Sequence, residues 1–226
     1  MAVGSRCPHL VTDLAALTSQ GFTNPGLGPL AIDLLRLGLS AGEVLQALRQ
    51  HDRWIDYRQI AIVTADEEPV AHTGSANAGW AGHAFGDKVV CLANGLTDDA
   101  PLQAMLQQFE RADGPAFAER LLSALEAGRS AACGPYGLLS AALLAGSPSR
   151  RARIDLRVDV ASRDPQEGGD ALADLRTLWT RFDPVAEFYE QWPDNPGLAQ
   201  GNWREWIRAA GREEGPPSKP AGKADA

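Results

Sequence analysis

RQIAIVTADEEPVAHT, residues 58–73, is the stretch whose reading decides the fold class. Its first seven residues are mostly apolar and β-branched and read as a strand. The polar run ADEE (65–68) reads as a turn, and PVAHT (69–73) returns, which makes a β-hairpin. Arg58-Gln59 opens this strand and is expected at its solvated end. Upstream, residues 26–50 read as two helices, with Leu30, Leu34 and Leu37 on one face of the first. Gly38 ends that helix. Ser40 caps the next one, and Glu43 three residues on completes a capping box. Downstream, KVVCLA (88–93) reads as a buried strand. Helices are expected over 98–112 and 115–127. The second of these directs Phe117, Leu121 and Leu125 inward and stops at Gly128. LSAALLA (139–145) and RIDLRVDV (153–160) read as strands. In the latter, Ile154, Leu156, Val158 and Val160 point one way while Asp155, Arg157 and Asp159 point the other. Residues 170–190 read as a helix carrying Leu172, Leu175, Trp179 and Phe182 on one side. Antiparallel sheet with helices packed on its faces, an α+β fold, accommodates this order.

The chain has 226 residues, of which 44% are hydrophobic and 22% charged, the balance of a globular protein that buries a core without staples. Lys and Arg number 21 against 29 Asp and Glu, a net charge of −8. That balance argues against nucleic-acid or anionic-membrane partners, which need a basic face. Cys7, Cys91 and Cys133 form no CxxC pair, and the four histidines show no metal-ligand spacing with them. No motif implies a cofactor or a metal. No apolar run reaches the roughly 18 residues of a membrane span, and MAVGSRCPHL has no apolar signal region. The expectation is a cytoplasmic, reduced chain. Three regions are expected: a main domain over 1–190, a short Trp-rich helical appendage over 191–210, and a disordered tail over 211–226. Trp192, Trp203 and Trp206 would pack on this domain or on a second copy, so a homo-oligomer is expected.

The candidate site residues are Asn24, Thr73, Trp80, His83, Asn94 and Asp159, and the partner they imply is a small-molecule ligand. Asn24 could offer an amide to a substrate carbonyl, or close an Asx turn before the helix at 28. Thr73 opens a Gly-rich loop, TGSANAGWAG (73–82), flanked by His72 and His83. That loop could form a pocket lip, with Trp80 stacking on a ligand and His83 as acid or base. Alternatively it folds over the sheet, with Trp80 in the core. Its glycines match neither a phosphate loop nor a dinucleotide fingerprint. Asn94 either faces a cleft from a strand end or forms a turn before Gly95. Asp155, Arg157 and Asp159 line either a polar cleft or a solvated face. The two carboxylates of Asp155 and Asp159 would stand about 13 Å apart on a strand, too far to share a proton. Cys91 reads as a buried structural thiol. Ser5 and Ser140 lack the nucleophile-elbow context.

Several segments together resemble a known family. They are QGFTNPGLGPLAIDLLRLGLSA (20–41), YRQIAIVTADEEPVAHTG (57–74), WAGH (80–83), LANGL (92–96) and IDLRVD (154–159). In this order they resemble the bacterial family called domain of unknown function 1028, over about residues 2–190. That family is assigned to the N-terminal nucleophile hydrolase-like fold, a four-layer αββα sandwich. The resemblance therefore implies two antiparallel sheets between helical layers. Elsewhere in that fold, members hydrolyse amide bonds, and the α-amine of an N-terminal Thr, Ser or Cys acts as base for its own side chain. Relatives open with Met-Thr and a strand before a segment that MAVGSR (1–6) resembles. On this reading the first strand is missing, and Ala2 offers no nucleophile. The alternatives are a start further upstream that supplies Thr, a non-catalytic binding or structural member, and self-cleavage before Cys7.

Overall fold

The computed structural model describes residues 1–111, 116–132, 138–146, 153–161, 169–191 and 194. Among them the chain is a mixed α+β protein with six α-helices and three antiparallel sheets, and no barrel. A short helix α1 (Val3–Arg6) leads into strands β1 (Pro8–Val11) and β2 (Ala15–Gly21). Helices α2 (Leu27–Arg36) and α3 (Ala41–His51) follow, then the hairpin β3 (Arg58–Thr64) and β4 (Val70–Thr73). Together β1, β2, β3 and β4 form one sheet in that spatial order. A second hairpin, β5 (Trp80–Gly86) and β6 (Val89–Leu96), precedes helices α4 (Ala100–Arg111) and α5 (Phe117–Ala131). A third, β7 (Ala141–Gly146) and β8 (Arg153–Val158), precedes α6 (Ala171–Gln191).

Period-two alternation gives the four-stranded sheet two different faces. Ala15, Leu17, Ile60 and Ile62 point to one side. There they meet Leu27, Ala31 and Leu35 of α2 and Val44 and Leu48 of α3 in one continuous core. Ile62 and Leu48 have no exposed surface. The capping box that starts α3 is complete: the Ser40 hydroxyl accepts from the Glu43 N–H, and the Glu43 carboxylate accepts from the Ser40 N–H at 2.8 Å. A second core lies between α5, α6 and the β7–β8 hairpin, built on Leu122, Leu143, Leu172, Leu175 and Trp179. Glu119 of α5 ties these helices together. It accepts from Arg176 at 2.6 Å and from the Trp179 indole at 2.7 Å. The Arg176 bond is the main reason the Glu119 carboxyl lies below its ordinary range, against burial, which opposes it.

The structure corrects several expectations. Two strands, β1 and β2, precede α2 where the sequence reading placed none, and β1 and β4 are the edges of the sheet. Asp13 makes the tight turn between them with φ at 66°, a left-handed conformation that Asp tolerates. Residues 80–86 are strand β5 rather than the end of a loop. Gly128 does not stop α5; it is buried inside the helix where Met105 of α4 lies too close for a side chain. Phe117 is exposed and meets the edge of Phe109 instead of entering the core. Val160 lies beyond the end of β8 and is exposed. Cys133, Trp192, Trp203 and Trp206, and with them the expected tail and all of the expected appendage except residues 191 and 194, lie outside the described residues.

Leu48→Ala should cost about 2–5 kcal/mol, because the void opens between α3 and the sheet with nothing able to collapse into it. Chemical denaturation of the full chain measures this, and a loss below about 1 kcal/mol would show that the core is not built around α3.

Candidate functional site

The opposite face of the four-stranded sheet carries a polar row. Gln20 pairs across the strands with Gln59, and Gln59 with Thr73, so three polar side chains of β2, β3 and β4 stand at one level on one face. This face meets the β5–β6 hairpin through Gln59, which has no exposed surface. Its amide nitrogen lies 2.8 Å from the Gly82 carbonyl of β5 and 2.9 Å from the Ala93 carbonyl of β6. The same nitrogen is 3.1 Å from the Thr73 hydroxyl. Its carbonyl oxygen accepts from Asn94 Nδ2 at 3.0 Å. Two backbone carbonyls can only accept, which fixes the amide orientation. Gln59 is therefore a fully engaged pin between sheet and hairpin, not a residue at a solvated strand end.

The row continues into the hairpin. The Thr73 hydroxyl is 2.8 Å from His83 Nδ1. Burial, and to a lesser degree the neighbouring His72, hold the His83 pKa below its ordinary value. The ring is thus neutral at neutral pH. The Thr73 hydroxyl and His83 Nδ1 share one hydrogen bond, whose direction follows the tautomer of the ring. The edge of the Phe85 ring contacts His83, with the centroids 5.2 Å apart.

Two clefts flank this relay. The first, of about 510 Å³, is lined by Arg6, Cys7, Gln20, Thr23, Arg58 and Asn94 among others. The second, of about 400 Å³, is lined by Thr73, Ser75, Asn77 and His83 with the glycines around them. Asn94 thus belongs to the wall of one cleft and His83 to the wall of the other, with Gln59 and Thr73 joining them. Gly21 marks the seam between the clefts. Its φ of 73° and the side-chain oxygen Oδ1 of Asn77, which a Cβ would overlap, leave room for no side chain. Asn77 in turn donates to the carbonyls of Arg58 and Gly74 at 3.1 and 2.9 Å.

Arg58 is held from beneath. Its Nε lies 2.9 Å from Asp52 Oδ2, and a guanidinium N–H also donates to the Phe22 carbonyl. Burial works to raise the Asp52 carboxyl. Arg58, the Trp54 N–H and the Asn24 amide outweigh it and hold the carboxyl below the usual carboxylate range. Cys7 contacts the Thr23 hydroxyl at 3.4 Å. No His, Asp or Glu is among the described residues lining this cleft.

Of the expected residues, the structure brings Thr73, His83 and Asn94 together around Gln59 and leaves three apart. Asn24 closes an Asx turn, its Oδ1 accepting from the Gly26 N–H at 3.1 Å, and its amide reaches Asp52 at 3.4 Å. The Trp80 ring folds back over Gly82 of its own strand and lines neither cleft. Asp159 is exposed beyond β8, where its backbone carbonyl accepts from the Ala2 N–H. Asp155 and Arg157 pair with each other at 2.6 Å on the exposed face of that strand. Cys91 is buried, and burial pushes its thiol up to about 11. No group of three or more His, Cys, Asp or Glu able to hold a metal occurs among the described residues. No helix there is long and apolar enough to cross a membrane. The residue missed in the sequence is Gln59. The available signal was an amide at the second position of a central strand, directly before the apolar run over residues 60–63.

The family model described as "Family of unknown function (DUF1028)" matches residues 1–168. Among solved structures, the crystal structure of protein SPO2555 from Silicibacter pomeroyi, which carries the same family model, is similar. It is 26% identical, with a TM-score of 0.69 over 91% of this chain and 82% of that one. No curated protein matches.

Gln59→Leu should destabilise the fold by about 3 kcal/mol or more. It strands the Gly82 and Ala93 carbonyls and the Asn94 amide, each worth roughly 1–3 kcal/mol when left buried without a partner. A loss within about 0.5 kcal/mol of wild type would show that the seam does not depend on this amide. The histidines give a second test. His83 and His9, whose pKa burial also lowers, bind a proton less readily folded than unfolded. Stability is therefore full above the unfolded value near 6.5 and declines as pH falls below it, until each folded pKa is passed. Urea midpoints at pH 7.5, 6.5 and 5.5 should fall in that order, and His83→Gln should flatten the decline.

Proposed function

This chain belongs to the DUF1028 family, and we propose that its Cys7–Asn94 cleft binds a small molecule bearing a carboxylate beside hydrogen-bonding groups. The observation that carries the proposal is the charge of the cleft wall. Both charged side chains there, Arg6 and Arg58, are arginines, and none is acidic. In a chain of net charge −8 this is a local reversal of sign. Asp52 holds Arg58 in place from outside the wall, and Gln20, Thr23 and Asn94 supply neutral donors and acceptors within it. Arg suits a planar carboxylate because its N–H groups form a fork of matching geometry.

The four-layer αββα sandwich of the N-terminal nucleophile hydrolases is part of this proposal. Helices α2 and α3 on one face of the four-stranded sheet, the β5–β6 hairpin on the other, and α4 beyond the hairpin support that layer order. Hydrolysis of a small amide or related C–N bond is the second reading and rests on the same layers. It ranks below binding because the described wall of the Cys7 cleft carries no His, Asp or Glu side chain. A Trp-rich appendage over 191–210 packing on this domain or a second copy, a disordered tail over 211–226, and a cytoplasmic setting complete the proposed picture.

Thermal unfolding of the full chain against a panel of small carboxylic acids and their amides is the test. A ligand at a hundred times its Kd should raise the midpoint by roughly 5–10 °C. Arg6→Gln, at an exposed position, should reduce that rise without lowering the ligand-free midpoint. A flat response to every carboxylate would overturn the binding reading. Cleaved products in the same mixtures by mass spectrometry would promote the hydrolase reading over it.

A further inference from the structure

The carboxylate cleft does not end at its polar wall. Val3, Cys7 and Gln20 line it, and the same three residues line a second, mostly apolar cavity of about 370 Å³. The cavity runs between β6, α4, α5 and β7 and is walled by Ala93, Leu96, Met105, Leu125, Ala142 and Leu172 among others. Two polar side chains on its wall are already engaged. The Ser140 hydroxyl accepts from the Val3 N–H at 3.4 Å, and Arg129 pairs with Asp170 at 3.5 Å. An apolar cavity of about 150 Å³ accepts a benzene ring. This one is more than twice that size, so it has room for a tail longer than one ring.

We propose that the ligand is an amphiphile: its carboxylate head lies in the arginine-walled cleft, and a medium-length acyl tail enters the cavity between β6, α4 and α5. The polar-to-apolar change occurs across Cys7 and Gln20, so an amide linking head and tail would sit beside the Gln20 side chain. The chemical class is thus an N-acyl amino acid or a close analogue. This inference rests on the binding reading above, since the head must occupy the cleft for the tail to reach the cavity.

The test uses two probes with the same head, N-acetylglycine and N-octanoylglycine, titrated calorimetrically into the full chain. Each methylene moved from water into an apolar site is worth roughly fourfold in affinity. The octanoyl probe should therefore bind at least about tenfold tighter. Ala93→Leu and, separately, Leu125→Trp narrow the cavity and should bring the octanoyl-to-acetyl ratio close to one. Two positions are used so that failure of one variant to fold leaves the other to decide. Equal binding of both probes by the wild type would overturn the cavity inference while leaving the cleft reading intact. A tenfold preference that survives in a folded narrowing variant would also overturn it, because the tail would then lie elsewhere. Binding of neither probe would overturn this inference for N-acyl glycines. The carboxylate panel, read separately, would then say whether the cleft reading falls with it.

Discussion

A glutamine with no exposed surface has to place two N–H protons and a carbonyl oxygen, and Gln59 places them across the gap between a sheet and a hairpin. Interfaces between sheets are ordinarily closed by interdigitating apolar side chains. Here the four-stranded sheet turns Ile60 and Ile62 toward its helices and spends the neighbouring position of the same strand on an amide. Burying an amide costs several kcal/mol unless every group is bonded. That requirement dictates where β5 and β6 lie, because Gly82 and Ala93 must both present carbonyls to one nitrogen. Asn94 and His83 are then delivered to opposite clefts by the two strands of the same hairpin.

The polar seam also keeps the region electrically quiet. Gln20, Gln59, Thr73 and Asn94 are uncharged, and burial keeps His83 neutral at neutral pH. The nearby Asp52–Arg58 pair cancels most of its own charge at 2.9 Å. What remains is a mild positive bias from Arg6 on a cleft that opens in an acidic protein. That bias orients an anion at the mouth without forcing a bare charge into the interior, which would carry a heavy desolvation cost.

Local periodicity made most of the scaffold legible. The hairpin at 58–73, the Ser40–Glu43 capping box and the stripe Leu172, Leu175, Trp179 were all readable, because each pattern is complete within one element. The first two strands were not. Ala15, Ala16 and Ser19 have weak strand preference, and β2 becomes a strand because its neighbours bury Leu17 and hydrogen-bond its backbone. Thr73, His83 and Asn94 could be suspected singly as polar residues near strand ends. Their partnership could not be seen, because Gln59 connects them over sequence separations of 14 to 35 residues. Gln59 itself was misplaced for a physical reason. A polar residue beside Arg58 at the start of a strand ordinarily faces water, and only the hairpin docked above it reverses that.

The relay also constrains how this chain can vary over generations. Gln59, Thr73, His83 and Asn94 satisfy one another in series, and Gln59, the buried member of the four, cannot be exchanged alone without leaving buried partners unmatched. A lineage that loses Gln59 must find other donors for two backbone carbonyls that every residue at positions 82 and 93 will possess. Gln59 is therefore the constrained position, and so is Arg58, whose loss would strand the Asp52 carboxylate, while the exposed Arg6 can change by itself. The seam fixes the architecture that descendants share, and the mouth is where they can diverge in what they hold.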